Sequence, residues 1–413
     1  FSLVFICLFI VITPLVIWFT TLIRTPLYKV RDEILKLKNL DIDNDIEFKS
    51  SIVEVNDMID ATSKVKVGLR SFRKYVPSTV VKELVSGGEV AEIGGRKEIV
   101  TVLFSDIDGF THISENNDTT TVVTSLNEYF DIYVDCLEES GATVDKFIGD
   151  SVMAFWNAPV KIENHESVAI KTAIKIYNQV CKELHQEVKE RVLYWMNQGK
   201  KVVLLGGDHS TPLGYYQALA TKYDNFGILH LDAHMDLRIA YEGFTYSHAS
   251  IMYNALQLPQ ISKIVQVGIR DFCEQEVAVV KNENGRVLIH TDSDIKKEIF
   301  EGKTWQQQCE VIIASLPQKV SISFDIDGMY PWYCPNTGTP VPGGFSFEQA
   351  TYLFNKLAES GKEIIGFDLV EVAPGENDDW DGNVGARMLF HMCGVLAKNN
   401  GLNVGQKIDF KRV

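Results

Sequence analysis

Hydrophobic and polar positions along the chain follow several distinct rhythms. From Phe1 to Ile23 the run FSLVFICLFIVITPLVIWFTTLI is uncharged throughout, long enough at about 1.5 Å per helical residue to cross a bilayer core of ~30 Å. A signal peptide would have a shorter apolar stretch and a small-residue cleavage site, and a core helix of this length would carry a polar face. The pattern therefore predicts a transmembrane helix over 1–24. Arg24, Lys29 and Arg31 follow at once, so the positive-inside tendency predicts a single-pass anchor in a plasma or inner membrane with everything downstream cytoplasmic. The chain opens without Met, which suggests sequence upstream. Over 25–76, apolar residues recur at spacings of three and four in VRDEILKLKNL and SSIVEVNDMIDATSKVKVGLRSFRKYV, around the aperiodic polar DIDNDIEFK. This predicts two amphipathic helices and a connector.

Beyond Glu98 short apolar runs alternate with helical stretches. EIVTVLFSDIDGF reads as a strand ending in acids, TTVVTSLNEYFDIYVDCLEESG as a helix, and ATVDKFIGDSVMAFWN as a hairpin with Gly149-Asp150 at its tip. KIYNQVCKELHQEVKERVLYWMNQGKK predicts one long amphipathic helix. After it VVLLGG, FGILHLDAH, KIVQVGIRD, RVLIHTD, KVSISFDIDG and EIIGFDLVEVAPG alternate with helical segments. Continuous apolar strands separated by helices indicate a parallel sheet covered on both faces. The expected class is α/β, and the change of texture near residue 184 divides the soluble part into 77–184 and 185–413. A length of 413 residues accommodates more than one such unit.

Charge and cysteine usage narrow the partners. With 55 acidic against 40 basic residues the net charge is −15, which opposes nucleic acid as a partner because a phosphate backbone demands a basic face. The cysteines are scattered, with no C-x-x-C pair, so neither a disulfide framework nor a zinc knuckle is indicated.

Acidic residues gather at the ends of predicted strands. Asp106 in LFSDIDGFT and Asp150 in KFIGDSVMAF suit magnesium ions that clamp a nucleotide triphosphate, although spacing alone does not separate them from solvated turn acids. With YVPSTVVKELVSGG, VTVLFSDIDGFT and DKFIGDSVMAFW, residues 26–184 resemble a HAMP signalling linker followed by the first half of a class III adenylate/guanylate cyclase catalytic domain. The resemblance implies a partial ferredoxin-like α/β unit, with magnesium on Asp106, Asp150 and the Ile107 carbonyl, and a HAMP linker implies a parallel coiled coil in a dimer. From the pattern alone, two ordinary stalk helices fit equally well. The strand and the Asn and Arg that complete such a domain do not follow. Asn383 and Arg387 in NVGAR have the family's spacing but fall in the second unit, and we read them as coincidence. The family builds each site from complementary halves of two subunits, so this half implies no cyclisation of ATP by itself.

In a strand, residues i, i+2 and i+4 share a face. Asp232, His234 and Asp236 of LDAHMDL are therefore expected to point one way, as are Asp325 and Asp327 of SFDIDG, with His209 of VVLLGGDHS beside them. All lie at predicted carboxyl ends of parallel strands, where sites gather. Singly, such residues are more often turn formers, caps or core histidines. Together, carboxylates this dense would repel one another without cations. The mix of imidazole and carboxylate without thiolate suits a pair of divalent ions, manganese above all.

The motifs GGDHS, DAHMD, SFDIDG and DLVEVAPG make residues 186–413 similar to the ureohydrolases: arginase, agmatinase and formimidoylglutamase. The resemblance implies a three-layer α/β/α fold, here lacking its first strands, that hydrolyses a guanidino or amidino C–N bond and forms homo-oligomers. It implies two manganese ions bridged by Asp232 and Asp325, with His209 and Asp236 completing one site and His234 and Asp327 the other. His248 in YSHAS would shuttle a proton, and Glu371 in VEVAP would pair with the substrate's cation. Tyr330 in DIDGMYP replaces the family's third acid, so perturbed support of the metals is expected, and the missing strands should leave Val202 to Leu205 at an open edge. DLRIAYEGFTYSHAS lacks the N-x-x-x-T-S pattern of arginases, and CPNTGTPVPGG resembles the agmatinase and formimidoylglutamase side. Agmatine, formimidoylglutamate and guanidino acids are thus expected before arginine. The alternatives are a signalling protein that cyclises nucleotides only when complemented, and an inactive fusion of two truncated enzymes.

Overall fold

The computed structural model describes residues 2–38, 41–73, 97–375 and 378–401. Contacts divide the chain into two units, Phe1–Ile176 and Tyr177–Val413. The expected motif over 75–88 lies outside the described residues.

The first unit opens with helix α1 (Ser2–Lys38), which runs through Pro14 and Pro26, and continues through a connector to α2 (Val53–Arg73). The expected membrane span and first linker helix are thus one helix. Val30 of α1 packs on Val55 and Ile59 of α2, with Ile46, Phe48 and Ile52 of the connector against them. Lys66, 1% exposed, donates to Glu33 Oε2 at 2.6 Å and to the Asn44 carbonyl at 3.0 Å, so one ammonium ties α2, α1 and the connector together. The expected transmembrane helix receives no support. Among the described residues no helix is long and apolar enough to cross a membrane; the side chains of residues 1–11 lie outside those described.

The rest of this unit is β1 (Thr101–Ser105), α3 (Phe110–Asn116), α4 (Thr119–Glu139), β2 (Thr143–Ile148) and β3 (Ser151–Trp156). The strands form an antiparallel sheet in the order β1-β3-β2. Gly149 takes φ 64° at the β2–β3 tip, a left-handed conformation that glycine adopts freely. Asp118 starts α4 by accepting the Thr120 and Thr121 amides. The sheet leaves Val102, Phe104, Phe147 and Ile148 exposed. Helix α5 (His165–Asn197) then passes the expected join at residue 184 without a break.

In the second unit every expected strand forms. In chain order the elements are β4 (Leu204–Leu205), α6 (Pro212–Lys222), β5 (Phe226–Leu231), α7 (Ile251–Leu256), β6 (Ile261–Ile269), α8 (Glu274–Asn282), β7 (Val287–Thr291), α9 (Asp292–Phe300), α10 (Trp305–Ala314), β8 (Lys319–Asp325), α11 (Phe347–Glu359), β9 (Glu363–Val370) and α12 (Trp380–Asn399). They build a six-stranded sheet in the order β4-β9-β8-β5-β6-β7, parallel at every pairing. Both faces are covered. Leu229 and Leu231 of β5 join Ile322, Phe324, Phe367 and α11 in one core, while Phe226 and Ile228 join Tyr215, Tyr216 and Met252 in the other, which is why these strands read as unbroken apolar runs. Strand β4 is short, pairs among the described residues with β9 alone, and leaves Leu205 61% exposed. From β5 the chain winds outward through β6 and β7, and from β8 the other way through β9, so the switch in direction falls between β5 and β8. A crevice opens at such a point.

Gly366 of β9 lies tight against Tyr215 of α6: a Cβ there would run into the Tyr215 hydroxyl and lie 2.9 Å from the Val202 carbonyl. Gly366→Ala should therefore destabilise this unit by about 1–3 kcal/mol, read as a lower melting temperature; an unchanged melt would show that α6 can shift freely.

Candidate metal centre

Strand β5 ends at Leu231, so the following Asp232 to Asp236 is loop and the shared-face argument does not hold. The residues converge by another route. The Asp232 amide donates to the Val267 carbonyl at 3.3 Å. Asp236 then takes a left-handed φ of 53°, with its carbonyl held by the Met252 and Tyr253 amides at 3.0 and 3.2 Å. Asp325 is the last residue of β8, and its Oδ1 accepts the Asp327 amide at 2.9 Å, opening a single 3-10 turn over Ile326–Gly328.

This brings all the expected ligands of the second unit together. His209 Nδ1 stands 3.1 Å from Asp232 Oδ2, Asp236 Oδ2 and Asp325 Oδ2 alike. On the other side His234 Nδ1 is 3.0 Å from Asp327 Oδ2 and 3.4 Å from Asp232 Oδ1. Asp232 thus offers one oxygen to each group. Donors about 2.1–2.2 Å from one ion and at right angles to each other lie about 3 Å apart, so the spacing around His209 fits a cation.

Hydrogen bonding points the same way. Ser323 gives its proton to Asp368 Oδ1 at 2.8 Å and stands 3.0 Å from His209 Nε2, and Tyr216 reaches Asp368 Oδ2 at 2.8 Å. Ser323 Oγ therefore accepts from His209 Nε2–H, which leaves Nδ1 as a bare lone pair among three carboxylates. That buried nitrogen has no hydrogen-bond partner, an arrangement favourable only with positive charge at its centre.

Without a metal, that demand falls on protons. Burial favours neutral His209, but Asp232, Asp236 and Asp325 raise it well above the usual histidine range, and Asp232 and Asp327 overcome burial to raise His234 to about 11. Burial and the Asp232 charge push Asp236 up to about 7, and burial raises Asp325 and Asp327 as well. Asp232 goes down despite its burial, held by His230 and His209.

A cavity of about 130 Å³, lined by His234, Asp236, Tyr241, His248, Asp271 and Thr339, adjoins the cluster. His248 is half-buried, follows the Ser247 cap of a short turn, and sets its ring edge-on to Tyr241 at 5.8 Å. Glu371 lies beyond the end of β9 with φ 63°. Its Oε1 accepts the His209 amide at 2.7 Å, and burial raises its pKa. Tyr330 stacks on Trp332 at 4.3 Å and meets Lys296 Nζ at 3.2 Å. Support for its loop comes from Arg270, which donates to the carbonyls of Asp327 at 2.6 Å, Met329 at 3.2 Å and Val341 at 3.0 Å. His230, Gln266, Arg270, Ser323, Asp368 and Tyr216 were not foreseen, although most are isolated polar residues inside apolar strands, which was the available signal.

In the first unit the segments that carry Asp106 and Asp150 are hydrogen-bonded to each other. Asp150 Oδ2 accepts the Ile107 amide at 3.1 Å, and Asp106 Oδ1 accepts the Ser151 hydroxyl at 2.5 Å. The Ile107 carbonyl accepts the Phe110 amide at 3.2 Å. Asn383 and Arg387 bond to each other on α12 at 2.7 Å, within the second unit.

Raised acid pKa values stabilise the fold below the ordinary acid range, and that stability is lost as pH rises through the folded value, about 7 for Asp236. His209 and His234, also raised, act in the same direction, and the depressed Asp232 works against this only in strong acid. The melting temperature of metal-free protein should fall from about pH 5 to about pH 8, while the stabilisation added by manganese should grow over the same interval because deprotonated carboxylates bind the ion. A melt insensitive to both pH and manganese would exclude a cation site here.

A model of the Arginase family matches residues 151–394, and one of the Adenylate and Guanylate cyclase catalytic domain matches residues 94–206, so the two overlap across α5. The N(1)-aminopropylagmatine ureohydrolase of Thermus thermophilus is 32% identical over 227 residues, which cover 55% of this chain and 71% of that protein. Guanidinobutyrase of Pseudomonas aeruginosa is 30% identical over 213 residues, 49% of this chain and 62% of that one. Adenylate cyclase 1 of Rhizobium meliloti is 32% identical over 155 residues, 38% of this chain but only 23% of the cyclase. With its family match spanning more than half its length, and ahead of it a stretch that matches a nucleotide cyclase catalytic domain, the chain belongs to the arginase family.

Proposed function

We propose that the chain is a binuclear manganese-dependent hydrolase of a guanidino or amidino C–N bond. The observation that carries this reading is the two-sided carboxylate of Asp232, with Oδ2 toward His209 and Oδ1 toward His234. Two divalent ions held there would lower the pKa of a shared water, making hydroxide available at neutral pH. His209, Asp236 and Asp325 would hold one ion, and His234 and Asp327 the other. Donors of oxygen and imidazole with no thiolate favour manganese over structural zinc. Glu371, fixed through Oε1 to the His209 amide, leaves Oε2 for the N–H groups of a guanidinium, and a bound cation favours its ionised form. His248, on the cavity wall beside His234 and Asp236, would hand a proton to the departing amine.

The whole chain, purified with manganese, should bind about two ions and release urea or formamide from at least one of agmatine, N(1)-aminopropylagmatine, 4-guanidinobutyrate, formimidoylglutamate or arginine. Asp232→Ala should abolish both properties. Turnover that persists in Asp232→Ala would refute the mechanism.

The juxtaposition of Asp106 and Asp150 favours a second reading for the first unit: the metal-binding half of a cyclase site that works only with a complementary half, behind a HAMP-type stalk. Mixing the chain with a cyclase domain that lacks its own metal aspartates should restore cyclic nucleotide synthesis with magnesium, and Asp106→Ala should remove it. No synthesis in the mixture would leave this half without catalytic use.

A further inference from the structure

His230 is fully buried in β5, two residues before Asp232. Its Nε2 lies 2.8 Å from Asp232 Oδ2, close enough to the donors of His209 and Asp236 to count among the possible metal ligands. Its tautomer decides whether it is one. In the parallel register His230 lies opposite Gln266 of β6, and Gln266 Nε2 is 2.9 Å from His230 Nδ1 and 2.6 Å from the Met235 carbonyl. A carbonyl only accepts, so the amide nitrogen must face Met235, and its second hydrogen goes to His230 Nδ1. Nδ1 is therefore an acceptor, the ring proton sits on Nε2, and that proton is given to Asp232 Oδ2. Neither ring nitrogen then has a lone pair free for an ion.

Asp232 is consequently held at both ends: Oδ2 accepts from His230, and Oδ1 accepts the His234 amide at 2.5 Å. Each oxygen keeps a second lone pair for its own side of the cluster. We infer that His230 is a positioning residue that aims the Asp232 carboxylate between two metal sites, with Gln266 dictating the tautomer that lets it do so. The inference rests on the metal-dependent reading proposed above.

The test is manganese binding to the whole, metal-stripped chain by equilibrium dialysis, with a melt of each metal-free variant to confirm folding. His230→Phe keeps the ring but loses the donor and should bind manganese about 10–100-fold more weakly. His230→Gln, whose amide can return an N–H to Asp232, should recover most of that loss. Gln266→Leu should also weaken binding, and adding it to His230→Phe should change nothing further, because Gln266 acts through His230. Wild-type affinity in a folded His230→Phe overturns the inference. So does loss of one whole ion from both His230 variants, which would make His230 a ligand, or additivity of the His230 and Gln266 effects. Wild-type protein that binds no manganese fails the metal reading itself, an outcome separate from these.

Discussion

Negative charge packed beyond its own means of neutralisation is the constraint on which the second unit depends. Asp232, Asp236, Asp325 and Asp327 are all buried within a few ångströms of two imidazoles. Burial penalises each ionised carboxylate, and like charges penalise one another, so the cluster persists only if positive charge enters it. Around it the fold supplies hydrogen-bond donors. The Ala233 amide reaches Asp327 Oδ1 at 3.0 Å, and Arg270 binds carbonyls of the same loop. Asp368, one shell further out and raised to about 6 by burial, orients His209 through Ser323. The charge of the centre is thus met by whatever positive charge is available to it, protons on the imidazoles and carboxyls or a bound cation.

The sheet makes that density possible. With strands in the order β4-β9-β8-β5-β6-β7, the carboxyl ends of neighbouring strands deliver His209, Glu371, Asp325 and Asp232 side by side from distant parts of the sequence. The rigid apolar layers on both faces fix these ends, and the loops need only complete short turns. The shortened β4 edge still delivers His209, because pairing of Leu204 and Leu205 with Asp368 and Leu369 is enough to set its direction.

Much of this was legible in the sequence, for reasons that also explain what was not. Continuous apolar runs specified every strand of the second unit, since a strand buried on both faces has no polar period to confuse. The candidate ligands were legible as a group, but their geometry was not: period-two placement assumed a strand through Asp236, whereas the chain leaves β5 at Leu231 and turns back through a left-handed residue. Single polar residues inside apolar strands, such as His230, Gln266, Ser323 and Asp368, were hidden because each alone looks like a tolerated core residue. Only cross-strand register shows that they touch. Likewise helix periodicity located α1 and α5 but not their extents, because nothing in a smooth amphipathic pattern marks where one unit's helix becomes another's.

Asp236 and Glu371 share a feature that bears on how this protein can drift. Both are carboxylates on left-handed backbone, at φ 53° and 63°, where glycine or asparagine would be more comfortable. Glycine at either position would ease the backbone, and what opposes it is the contacts the carboxylates make, Glu371 with the His209 amide and Asp236 with the His209 ring. At these two positions fold and site pull in opposite directions: the backbone would relax with glycine, and the cluster would lose an acid with it.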